Sequence, residues 1–249
     1  MDASRTTRRL LAPVDRASGA LWGDDPAVPA ATERDVARLL HRVTALAVLA
    51  AIVQGVAHLV NAVPLDFRFG LLNADADQGV FTWASSAATL VAAAAVATVA
   101  LQVERCRALL LATAAIVAFF SLDDAVALHE RITIAEIGPI EHAGRILWVT
   151  CTSPVLAFAF IGLAVLARRA PGGVGRRIMV GLWSLVAAIA LEFTSPIWFA
   201  LGSDHGGWLY EFEAAVEEGL ELAGWLLVAG GALAAVVVTA ARVAVRPDR

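Results

Sequence analysis

The chain reads as an all-α integral membrane bundle of six transmembrane helices, with both termini cytoplasmic. Three observations predict it. Of the 249 residues, 59% are hydrophobic and 17% charged, against about a quarter charged in a soluble domain. The apolar residues gather into long runs, each near the ~20 residues that cross ~30 Å of hydrocarbon as a helix. The arginines fall almost wholly on one side of the alternating loops that six spans create. A net charge of −4 and two cysteines also exclude a basic nucleic-acid binder and a disulfide scaffold.

Residues 1–35 are expected to form a mobile cytoplasmic tail, and residues 36–246 the six-helix transmembrane domain. The tail carries Arg5, Arg8, Arg9 and Arg16 but no apolar stretch of signal-peptide length. Thr32 and Asp35, spaced as in a capping box, are expected to open the first helix, whose apolar run is Leu39–Val60. The next runs are Val80–Gln102, Ala108–Leu128, Ile146–Leu166 and Ile178–Leu201. The last is Leu222–Ala241, and its helix is expected to begin earlier, near Trp208. None alternates polar and apolar residues as a membrane barrel requires.

Orientation follows from the cations, all of them arginine. With a cytoplasmic N-terminus, only Arg68, Arg131 and Arg145 of the 19 lie outside. Of the 23 acids, eight are then inside: Asp2, Asp15, Asp24, Asp25, Glu33, Asp35, Glu104 and Asp248. The small net charge therefore hides an arginine-rich inner face and a strongly acidic outer one.

Some of those acids lie in the hydrocarbon. Asp123 is roughly 23 Å along the third helix at about 1.5 Å per residue, with Asp124 beside it, and Glu192 in the fifth helix reaches a similar depth. Each charge at bilayer depth costs about 2.5–3.5 kcal/mol. Three together approach the roughly 5–15 kcal/mol that stabilises a whole domain, so protonation, pairing or a bound cation is required.

The densest motif is Ser121-Leu-Asp-Asp-Ala-Val-Ala-Leu-His-Glu130. On a continuous helix Asp123 and Glu130 share a face, flanked by Asp124 and His129. Such a set suits a divalent cation, Zn, Fe or Mn. The bland alternative is a helix end at which His129 and Glu130 reach water or headgroups. In the last helix Glu213, Glu217 and Glu221 form a stripe bordered by Glu218. It reads either as a solvated extension or as one wall of a site, since like charges at i,i+4 repel. Asp123, Asp124 and Glu192 are the candidate catalytic residues. The candidate metal ligands are these three with His58, His129, Glu130, Glu217, Glu218 and Glu221.

Thr152-Ser-Pro154 and Thr194-Ser-Pro196 put prolines in helices 4 and 5, the second freeing the carbonyl of Glu192 itself. His142 is a weaker ligand candidate, and His205 and His41 are set aside. Trp83, Trp148, Trp198, Trp208 and Trp225 read as interfacial anchors or packing. Cys106 and Cys151 are expected at opposite sides of the membrane and unbridged.

The segment Leu122-Asp-Asp-Ala-Val-Ala-Leu-His-Glu130, followed by Ile137-Gly-Pro-Ile-Glu141, resembles an LDDxxxLHE element of a bacterial multi-pass membrane family. Glu217-Glu-Gly-Leu-Glu221 is similar to an acidic-glycine motif in that family's last helix. The resemblance spans helices 3 to 6 and implies no activity.

Three functions are open. The first is a metal-dependent intramembrane hydrolase or oxidoreductase acting on a lipid-linked or lipid-like substrate. The second is a non-catalytic subunit or metal sensor, whose Gly230–Ala235 face would suit a homo-oligomer or membrane partner. The third is a proton or cation transporter, disfavoured by the apolar inner stretches Leu109–Phe119, Met179–Ala190 and Leu226–Val238. Membrane lipids are expected contacts; nucleic acid is not.

Overall fold

The computed structural model describes residues 28–74, 76, 79–128, 131, 143–192 and 207–244, excepting the side chains of 143–147 and 149. Among them six helices are long and apolar enough to cross a membrane, and there is no strand. They are α1 (Ala30–Ala62), α2 (Val80–Gln102), α3 (Arg107–Val126), α4 (Ala143–Arg169), α5 (Gly172–Glu192) and α6 (Trp208–Ala244).

Hydropathy and helix ends agree where a loop follows the apolar run at once. α2 has the expected bounds, and α6 starts at Trp208. The start of α1 differs. It begins at Ala30 behind Pro29, with no side-chain cap; Thr32 is already helical, and Asp35 pairs with Arg38 instead of capping. Proline's fixed φ suits the entry to a helix, and the polar turns before Leu39 extend α1 beyond its hydrocarbon-length run.

α6 is the central helix. It packs against α1, α2 and α5, while α2–α3, α3–α4 and α4–α5 contacts complete a ring of five helices, α2 to α6. α1 stands outside the ring, mainly on α6. Small residues allow that approach: a Cβ on Gly55 would sit 3.7 Å from the Ala215 carbonyl, and one on Gly219 3.5 Å from that of Ala51. The outward face of α1, with Leu49, Ile52, Val53 and Val56, is more than half exposed, an arrangement that suits lipid.

The ring is filled unequally along its axis. At the arginine-rich end Val99, Ala100, Leu110, Val117, Leu163, Leu166, Val174, Ile178 and Ala235 form a tight apolar core. The few polar groups there turn inward, as when Thr239 donates to the Ala235 carbonyl at 2.6 Å. At the other end the ring opens into a cavity.

Candidate functional site

The cavity measures about 460 Å³ and is lined from all five ring helices. α3 contributes Phe120, Asp123 and Asp124, α5 Glu192, and α6 Glu217, Glu218, Glu221 and Trp225. α2 adds Thr82 and Ser85; α4 adds Trp148, Thr152, Ser153, Leu156 and Phe160. Six of the carboxylates singled out from the sequence thus face one space, although they come from three helices and span almost a hundred residues.

Each is placed by its helix. Asp123 sits in the last turn of α3 and is only 3% exposed. Beside it, Ser121 donates to the Ser86 carbonyl at 2.7 Å, tying α3 to α2. α3 then stops: Ala127 has φ of 51° and its N–H returns to the Asp123 carbonyl. Left-handed backbone is uncommon for alanine, and it ends α3 one turn after Asp123. His129 and Glu130 lie outside the described residues, as do His142, Thr194, Pro196, Trp198 and His205.

On α6 the acidic stripe divides. Glu217, Glu218 and Glu221 are half-buried at the cavity, and Glu221 Oε1 accepts a 3.0 Å hydrogen bond from the Ser85 hydroxyl. Glu211 and Glu213 are buried, at 2% and 6% exposure. The solvated-extension reading therefore does not hold for them. Glu192 ends α5 as the most open of the set.

His58 is brought to a different place. It is fully buried, its Nε2 stands 3.0 Å from Glu211 Oε2, and its Nδ1 accepts the Ala74 N–H at 3.0 Å. The Nε2 approach is off the axis of a directed hydrogen bond. His58 is not among the residues lining the cavity. Gln54 and Asn61, both buried, lie on the same side of α1. Asn61 clamps the α1–α2 loop, donating to the Phe69 carbonyl and accepting the Phe69 N–H, both at 2.9 Å.

Sequence reasoning missed the uncharged part of the lining. Trp148 and Trp225 face the cavity, whereas Trp83 and Trp208 are strongly exposed, as interfacial anchors would be. Thr152 lines the cavity, and its hydroxyl donates to the Trp148 carbonyl at 2.7 Å, one turn before Pro154. Only the Thr-Ser-Pro run hinted at that wall. Cys106 and Cys151 are both free; Cys106 Sγ takes a 2.8 Å contact from Arg169 Nη1, on the far side from the cavity.

The carboxylates surround a space more than they converge on a point. Among the described residues no three His, Cys, Asp or Glu side chains stand close enough together to hold one metal ion. The volume falls in the roughly 300–1,000 Å³ range of small-molecule sites. The aromatic rings of Phe120, Trp148, Phe160 and Trp225 give it apolar walls between the acids. Chemically, such a space can draw in a positive charge and accommodate an apolar body beside it.

Comparison with curated proteins and with solved structures finds no match. Residues 37–245 match the family described as domain of unknown function DUF8692, and the chain belongs to that family.

Proposed function

We propose that the protein binds a cationic group in this cavity, in the outer leaflet, and acts there as a metal-dependent enzyme on a lipid-like substrate. One observation carries the reading: Asp123, Asp124, Glu192, Glu217, Glu218 and Glu221 line a single cavity whose opposite end is closed by apolar packing. Carboxylates at that depth are costly unless a cation or proton offsets them. Asp123, Asp124 and Glu192, with His129 and Glu130 from the adjoining segment, are the residues that would hold a Zn, Fe or Mn ion. A divalent ion there would supply Lewis-acid polarisation for hydrolysis, or redox chemistry in the case of iron. A carboxylate outside the ligand set would take a proton from water or substrate. The apolar walls would seat the substrate's chain.

The wide spacing of the acids favours a second reading, a non-catalytic membrane subunit or sensor that takes a larger cationic ligand in the same cavity. Transport is the weakest alternative, because a route through both leaflets would have to cross the packed core of Val99, Leu110, Leu166 and Ile178.

Metal analysis of the full-length protein, purified in a mild detergent, separates these readings. The enzyme reading expects stoichiometric Zn, Fe or Mn in the wild type and its loss in Asp123→Ala and in Glu192→Ala. Absence of metal after incubation with each ion, or equal metal in wild type and variants, overturns it.

A further inference from the structure

The outward face of α1 changes character along its length without a break. At about 100° per residue, Arg34, Arg38 and Arg42 share one sector of roughly 80° with Leu49, Ile52 and Val56. All of these side chains are exposed, since α1 stands outside the ring and packs mainly on α6. Counting ~20 residues back from Ala62, at about 1.5 Å each, puts the hydrocarbon boundary near Val43. Arg42 therefore adjoins it, while Arg38 stands about 6 Å beyond it and Arg34 about 12 Å. Side chains on a helix lean toward its N-terminus, which for α1 is away from the hydrocarbon. The Arg42 guanidinium can thus rise into the headgroup layer while its stem stays in apolar surroundings.

Two grooves open on the charged part of this face, both lined by α1 alone. One, of about 310 Å³, lies between Asp35, Arg38, Leu39 and Arg42; the other, of about 710 Å³, between Ala31, Arg34, Asp35, Ala37 and Arg38. Asp35 pairs with Arg38, while Arg34 and Arg42 have no ion pair among the described residues. Glu33, the other acid of these turns, lies off this face, in the groove with Pro171 and Arg242. The face therefore keeps a net positive charge directly above an apolar strip.

We propose that this face binds an anionic phospholipid of the leaflet at the end opposite the cavity. The lipid phosphate lies between Arg38 and Arg42, whose planar guanidinium groups suit bidentate donation to phosphate oxygens. Arg34 is close enough to add its attraction unscreened, within a Debye length of about 8–10 Å. One leaflet of hydrocarbon is about 15 Å deep, or roughly ten residues of helix, so the acyl chains run from Val43 past Leu49 to Ile52. A zwitterionic headgroup offers the same phosphate, but its ammonium meets unpaired guanidinium charge, so the face selects by net charge. A soluble acidic partner would meet the arginines alone; one lipid covers both parts of the face. The site depends neither on which compartment that end faces nor on what the cavity binds.

Electron paramagnetic resonance tests this on the full-length protein in phosphatidylcholine vesicles. Trace phosphatidylglycerol or phosphatidylcholine carrying a nitroxide on one acyl chain is added, and the protein-immobilised fraction of each gives their relative affinity. The wild type should prefer phosphatidylglycerol by about fivefold or more, the attraction expected of even one surface arginine. Raising the salt to about 1 M KCl should reduce that preference. Arg34→Gln/Arg38→Gln/Arg42→Gln should lower it below about twofold. Glutamine is as good a helix former as arginine, and the replaced side chains are exposed, so α1 should remain intact. Arg168→Gln/Arg176→Gln/Arg177→Gln removes the same charge from α4 and α5 at the same end, and should keep the wild-type preference to within about twofold. Equal loss in the two triple variants overturns the site, because a diffuse positive field would respond to both alike. So does a wild type without preference, which decides with no variant at all and leaves the arginines to a soluble acidic partner.

Discussion

Asn61 illustrates how much one buried amide can fix. Both its polar atoms are spent on a single backbone unit, the N–H and C=O of Phe69, and it is itself fully buried. Asn61→Ala removes two part-buried hydrogen bonds to Phe69, each worth about 0.5–1.5 kcal/mol. Asn61→Asp keeps the acceptor but sets a carboxylate oxygen against the Phe69 carbonyl, so it should not rescue. Both variants should lower the unfolding midpoint in detergent and raise protease sensitivity in the α1–α2 loop. An Asn61→Asp protein as stable as wild type would show that the donor half of the clamp is idle. The partnership itself was not legible in the sequence. Asn61 and His58 read as polar groups at the end of a span that could complete a metal site. Only the folded chain shows that His58 meets Glu211, 153 positions away, and that Asn61 is consumed by its own loop. Charges inside apolar runs are visible because they cost energy where they stand; uncharged partners such as Ser85 and Thr152 carry no such signal.

Among the helices, close approach decides the packing, and glycine decides the approach. Where α5 meets α6, a Cβ on Gly181 would stand 2.7 Å from the Gly224 carbonyl oxygen and 3.0 Å from the Val228 nitrogen. These are backbone atoms and cannot swing away. Gly181→Ala should therefore push α5 from the central helix and lose roughly 1–3 kcal/mol of stability, the usual cost of overpacking. At Gly172, on the first turn of the same helix, a Cβ would meet nothing within 4 Å. Gly172→Ala should stay within about 0.5 kcal/mol of wild type. Chemical unfolding of both variants in the same detergent checks the contrast, and equal effects would refute the packing argument. The extent of the elements was largely legible, since hydrocarbon length and hydropathy bound them. Their ends were less so. α1 begins about two turns before its apolar run because polar residues remain good helix formers in water. α3 stops at Ala127 inside a segment that hydropathy reads as continuous, because no Gly or Pro marks the left-handed turn.

Taken together, the helices make a molecule with chemically opposite ends. The start of α1, the α4–α5 turn and the end of α6 meet at one end, where Val28, Pro171, Gly173 and Arg242 surround a common groove. The ends that carry Asp123, Glu192 and Glu217 meet at the other. The arginine count then predicts which end is cytoplasmic, because positive residues are retained on that side. The prediction is tested with single cysteines placed in a chain whose Cys106 and Cys151 have been replaced by serine. Leu71→Cys lies in the α1–α2 loop, where the native side chain is 64% exposed; Gly172→Cys lies at the opposite end with open space around it. A membrane-impermeant maleimide applied to intact cells should label the first and spare the second until the membrane is permeabilised. The reverse pattern would put the acidic cavity on the cytoplasmic side and remove the outer-leaflet assignment, while leaving the bundle intact. Labelling of both from one side would break the even number of spans, and with it the antiparallel ring that gathers the carboxylates. On the predicted orientation the cavity's access to one compartment follows from the same charge asymmetry that orients the chain: arginines holding one end inside would leave the carboxylates facing out.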